Sequence, residues 1–361
     1  MNKLRYLLLM LALLLAVLGC QANPAGSETK VVAETQPTAT VPLTATPEPT
    51  SIPTAAATSE VVTIAYMDPE TEKDVAMLSQ WLKIYRPTDV SAPYPTIYML
   101  PGVGYPPPQL NGLADELVAR GYAVILVKYR TGNAKEPYRP PGGEDIHCAF
   151  AWLMNNTTAY ELDPQRIFVF GHTAGGMTAV LMPLRDGATW RETLADCPYP
   201  APNPTVIKGV IVYDALLGIP EGMLGRYASL YASSWGIPGP DMLAATKTLS
   251  SVAPQEWKKS ELLDENTRKI AEMLPLYWVH NASAEGRATP PYLLIYDSDT
   301  EGGFDWVIES ETMAENMRTA GIDVKLELLS NASYLNLINT QTDVPARVAE
   351  MADAFITEIA K

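Results

Sequence analysis

From residue 61 onward, apolar positions follow two alternating patterns. Short apolar runs predict strands: "EVVTIAYM" (60–67), "WLKIYRP" (81–87), "PTIYMLPG" (95–102), "YAVILVKY" (122–129), "RIFVF" (166–170), "IKGVIVYDAL" (207–216), "PPYLLIYDSD" (290–299) and "DVKLELLS" (323–330). Between them lie amphipathic stretches that predict helices, including 108–121, 144–156, the run after Thr173, 307–321 and 346–360. In 144–156, Ile146, Phe150 and Leu153 share one helical face. Continuously apolar strands alternating with helices predict an α/β domain over 61–361, its central sheet mostly parallel and flanked by helices on both faces. The alternation breaks over 222–290. This helical, aromatic segment is expected to form a lid-like insertion above the carboxyl ends of the strands, where open α/β sheets bind ligands.

Before residue 61 the pattern is different. Lys3 and Arg5 precede an apolar run at 7–18 and then Gly19-Cys20, the layout of a secretory signal. A run this short makes a poor membrane span, although a plain signal anchor is the alternative. The sequence "AVLGC" resembles the lipobox of bacterial lipoproteins, which implies lipidation of Cys20 and an extracytoplasmic protein attached to the cell membrane through its lipid anchor only. Residues 21–60 are rich in Thr, Pro, Ala and Ser and lack apolar periodicity, so they are expected to be a disordered linker. The net charge of −15, with no basic cluster after the N-terminus, argues against a nucleic-acid partner. An apolar content of 47% is enough to bury a sizeable core. After Cys20 only Cys148 and Cys197 remain. In an oxidising compartment they either pair or stay as two buried thiols, and neither has metal-ligand spacing.

The chemistry concentrates in "RIFVFGHTAGGMTAV" (166–180), a strand, a sharp turn and a small-residue helix. Hydrolases hold a nucleophile in this layout with the pattern G-x-S-x-G, but the central residue here is Thr173. Gly171 and Gly175 flank it, with His172 beside it, as a strained turn packed closely between strand and helix requires. A phosphate-binding turn of the Rossmann type is the alternative, but no GxGxxG follows the first strand.

With "LPGVGY", "EDIHCAFAWL", "LDPQRIFVFGHTAGG", "PPYLLIYDSD" and "AGIDVKLELLSNASY" following in order, the chain resembles the α/β-hydrolase fold superfamily, in its carboxylesterase/lipase branch with HGGG and GxSAGG motifs. The resemblance implies hydrolysis of a small ester or acyl substrate without metal or organic cofactor. It places the triad at Thr173, Asp299 and Tyr334, with Asp297 and Asp305 as other placements of the acid. The backbone N–H groups of Gly102, Val103, Gly104 and Ala174 would receive a carbonyl oxygen. Pro101 stands where the branch has histidine.

Two departures bear on activity. A β-branched Thr fits a strained turn less readily than Ser. A tyrosine, with a pKa near 10, is a poor proton acceptor at neutral pH. Only three histidines are present. His172 and His147 read as structural, and His280, at the end of the insertion, is the one candidate for a substitute base. The expectation is a surface-anchored protein of carboxylesterase/lipase ancestry, weak or non-catalytic, that binds a ligand or partner. The alternatives are an active ester hydrolase using Thr173 and a purely structural envelope protein.

Overall fold

Eight strands form one sheet in the order β1-β2-β4-β3-β5-β6-β7-β8. They are β1 (Ser59–Ile64), β2 (Trp81–Pro87), β3 (Tyr94–Leu100), β4 (Ala123–Lys128), β5 (Leu162–His172), β6 (Ile207–Tyr213), β7 (Tyr292–Asp297) and β8 (Val324–Leu329). β1 and β2 are antiparallel to their neighbours, and every pairing from β4 to β8 is parallel. The computed structural model describes residues 59–68, 79–102, 107–130, 143–185, 187–215, 217, 237–298, 306–330, 332, 336–338 and 341–361. All of these fall within the unit Thr54–Lys361. The signal, Cys20 and nearly all of the linker lie outside the described residues.

Nine helices are described: α1 (Asn111–Val118), α2 (Gly143–Asn156), α3 (Ala174–Leu184), α4 (Gly187–Thr193), α5 (Gly239–Ser250), α6 (Glu265–Met273), α7 (Pro275–Ala284), α8 (Trp306–Thr319) and α9 (Val344–Ile359). Side chains alternate across the strands and so feed two cores. Tyr98 and Leu100 of β3, with Val210 and Val212 of β6, face α2, α3, α7 and α8. Ile97 and Met99, with Ile211 and Tyr213, face α1 and α9. On α9 the buried set Val344, Val348, Ala352, Phe355 and Ile356 recurs at helical spacing.

β5 begins four residues before the predicted "RIFVF", because Tyr94 pairs with Leu162 ahead of a register shift. The insertion supplies α5, α6 and α7. Asp264 caps α6 by accepting from Thr267 N at 2.7 Å, and α6 gives way to α7 at Pro275, which occupies its first turn without an N–H to donate. α7 packs on α3 and α8, helices that themselves flank the sheet. Cys148 of α2 is disulfide-bonded to Cys197, with Cα atoms 5.6 Å apart, which decides between the two states open to these cysteines.

Candidate active site

Thr173 leaves β5 with φ 49° and ψ −119°, a backbone conformation that side chains rarely adopt and that β-branching makes costlier. Close packing holds it there. A Cβ on Gly171 would lie 2.5 Å from Gly176 Cα, and one on Gly175 would lie 2.4 Å from the Leu100 carbonyl oxygen. Only glycine lets α3 approach its own strand and the end of β3 this closely. Gly176, not singled out in the sequence, is equally constrained, since its Cβ would meet Ala215 Cβ at 2.5 Å. The turn is closed by Thr173 N–H donating to Tyr213 O at 3.2 Å, while Thr173 O accepts from Gly176 N at 3.0 Å.

The Thr173 side chain is buried and makes no capping hydrogen bond to the start of α3. The Ala174 N–H therefore sits at a helix N-terminus that this hydroxyl does not occupy, as anion or carbonyl binding requires. Gly102 is buried at the end of β3. The Pro101 carbonyl beside it accepts from the Tyr129 hydroxyl, which anchors the start of the glycine loop. Val103 and Gly104 lie outside the described residues.

The three histidines are all placed. His172 is fully buried, its ring centroid 6.0 Å from that of Tyr213. His147 lies on α2 with Nδ1 facing Gly143 O at 2.6 Å and its ring edge-on to Trp190. Burial, and then the nearby Arg185 charge, push its pKa down to about 3, so it is a neutral packing residue. His280 of α7 holds Asn316 Oδ1 of α8 at 2.9 Å through Nε2, so that ring nitrogen is engaged by α8. No histidine follows position 280 in the chain, so the segment after β8, which carries Tyr334, contains none. Tyr334 itself lies outside the described residues.

On the acid side, Asp297 ends β7 and is buried, whereas Asp299 and Asp305 lie outside the described residues. The structure adds a carboxyl that the sequence reading missed. His172 pairs with Tyr213 in register, so Thr173 and Asp214 leave adjacent strands side by side, and both have left-handed φ, 49° and 43°. Asp214 is fully buried. Its Oδ1 accepts from Asp297 N at 2.8 Å, and its own N–H donates to Ile295 O at 3.0 Å. Burial pushes its pKa up to about 8. The bond from Asp297 N–H opposes that rise and the Asp297 charge adds to it. The only advance signal was "VYDA", an acid closing a buried strand. Among the described residues no group of three or more His, Cys, Asp or Glu side chains is placed to hold a metal ion.

The strand order and the elbow after β5 define the class: an α/β-hydrolase fold. Residues 82–207, from β2 through the elbow to the start of β6, match the BD-FAE family model. Among solved structures the chain is similar to esterase B from Lactobacillus rhamnosis, with 15% identity and a TM-score of 0.59 over 84% of this chain and 87% of that one. It is also similar to the propionate-bound thermophilic esterase Est2 from Thermogutta terrifontis, with 19% identity and a TM-score of 0.52 over 85% and 96%. A thermostable esterase from Pseudomonas putida gives 17% identity and a TM-score of 0.52 over 86% and 84%. At these identities the likeness establishes the fold. No curated protein matches the sequence.

Proposed function

We propose that this is an exported, lipid-anchored protein of the α/β-hydrolase fold whose elbow pocket binds a small ester or acyl ligand, with hydrolysis weak or absent. One observation carries the reading: the chain has no histidine after β8, where the base of a serine-type triad belongs, while His147 Nδ1 faces Gly143 O and His280 Nε2 faces Asn316. A hydroxyl attacks an ester at a useful rate only when a base takes its proton. Carbonyl binding needs only backbone donors, and the Ala174 N–H at the start of α3 offers one. The rival is an ester hydrolase that uses Thr173 as nucleophile, since a hydroxyl is retained at the centre of the elbow.

The deciding experiment measures hydrolysis of a short-chain nitrophenyl ester by the purified protein. The expected rate equals that of Thr173→Ala, and a Thr173→Ser, Tyr334→His double variant gains activity. Turnover by the natural sequence well above the Thr173→Ala control, or labelling of Thr173 by a fluorophosphonate, refutes the reading in favour of the rival. The disulfide supports export, because such bonds persist in oxidising compartments. Anchoring through Cys20 is tested by whether Cys20→Ala moves the protein from the membrane to the soluble fraction.

A further inference from the structure

A second feature lies at the opposite end of α3 from the elbow. Arg185 follows the last residue of that helix and is only 8% exposed. Arginine is almost never buried this deeply without a partner, and an uncompensated buried charge is strongly destabilising. The chain's other arginines illustrate the rule: Arg86 pairs with Glu60 and Glu161, Arg130 with Asp145, Arg166 with Asp163 and Arg287 with Glu285. Arg185 is more deeply buried than any of these, yet it has no carboxylate partner among the described residues.

Its surroundings explain only part of its placement. Its Cζ lies 5.9 Å from the ring centroid of Trp278, a cation–π contact covering one face of the guanidinium. The charge of Glu272 on α6 favours it from a distance without forming an ion pair. Capping of α3 does not need it, because Arg287 already donates to the Leu184 carbonyl. Its Nε is enclosed and unpartnered.

His147 of α2 lies near enough for the Arg185 charge to act on it, and its Nε2 is also enclosed and unpartnered. Because Gly143 O can only accept, His147 Nδ1 carries the proton and Nε2 presents a lone pair. One strong donor and one acceptor are thus left unmet between α2, α3 and α7.

We propose that Arg185 anchors a second binding site, remote from the elbow, for a small free oxyanion of the phosphate class. The planar guanidinium suits a tetrahedral oxyanion through parallel N–H bonds. Of the guanidinium only Nε is fully enclosed, so an ion would bind at its terminal N–H groups, and a group with 8% exposure is out of reach of a bilayer surface.

The test follows thermal unfolding of the full chain in inorganic phosphate, against sodium chloride at equal ionic strength. Phosphate should raise the midpoint by several degrees and level off, and chloride should not. Thr173→Ala should respond like the natural sequence, which separates this site from the elbow. Arg185→Gln should lose the response and, with the unpaired charge gone, unfold at a higher temperature in phosphate-free buffer. Should that variant not fold, Arg185→Lys keeps the charge but not the fork and should bind phosphate about tenfold more weakly by titration calorimetry. Absence of a phosphate-specific shift, an equal shift in Arg185→Gln, unweakened binding in Arg185→Lys, or binding to phosphatidylglycerol vesicles without a response to free phosphate would each overturn the proposal.

Discussion

Replacing Asp214 with Asn isolates the energetic consequence of burying a carboxyl beside the elbow. Asparagine has nearly the same size, keeps the oxygen that accepts from Asp297 N–H, and tolerates left-handed φ about as well as aspartate. It removes only the ability to ionise. In the folded chain the Asp214 pKa is raised from 3.8 to about 8, chiefly by burial. Between those values the folded protein holds a proton that the unfolded chain has released. Stability therefore falls as pH rises through this window and levels off above it. Each pH unit is worth about 1.4 kcal/mol, which gives a ceiling of about 6 kcal/mol across the window, reduced by whatever water reaches the ionised group. The natural chain and Asp214→Asn should be nearest in stability at about pH 3, where Asp214 is protonated in both the folded and the unfolded chain. At about pH 8.5 the variant should be the more stable by several kcal/mol. Urea unfolding followed by circular dichroism at three pH values measures the difference directly, and other titrating groups cancel because both proteins share them. A stability difference that does not change with pH would refute the account of Asp214 as a buried, proton-holding acid.

Three further outcomes follow from the packing. Reducing the disulfide, or substituting Cys148 and Cys197 together with Ser, frees a closed loop with a sequence separation of 49 and should lower stability by about 4 kcal/mol on the chain-entropy model. Denaturant midpoints with and without reductant would show this, and coincident curves would contradict it. Gly175→Ala places a methyl 2.4 Å from the Leu100 carbonyl oxygen, a clash with backbone that no rotamer relieves, and should cost about 3 kcal/mol or more. Gly239→Ala, at the start of α5 with nothing within 4 Å of its added Cβ, should be close to neutral in the same assay.

The sheet was legible because its inner strands are largely apolar on both faces and separated by amphipathic helices, a pattern with few other solutions. The elbow was legible because Gly171 and Gly175 are dictated by close approach, which leaves a sequence signature. Asp214 was not, because a single acid after an apolar run reads as a loop residue. What makes it unusual is its register beside Thr173 and its complete burial, and both depend on how β6 sits against β5 and β7. The isolation of Arg185 was hidden for the same reason. Charge pairing is a property of neighbours in space, and the nearest acids in sequence say nothing about which carboxylate a buried guanidinium meets.

The elbow's geometry and its chemistry also have separable causes. The left-handed backbone at Thr173 is imposed by contacts among Gly171, Gly175, Gly176, Leu100 and Ala215 and by the bond to Tyr213 O, none of which involves the residue's hydroxyl. A chain that keeps these contacts keeps the strained turn whether or not the side chain reacts. Strain at Thr173 is therefore evidence of the fold, and it does not distinguish a working nucleophile from an inactive one. Only a group able to take the hydroxyl's proton makes that distinction. Nε2 of His280 on Asn316, His147 held neutral against Trp190 and the lack of an imidazole after β8 are what the proposed function, holding a carbonyl and not cleaving its ester, rests on.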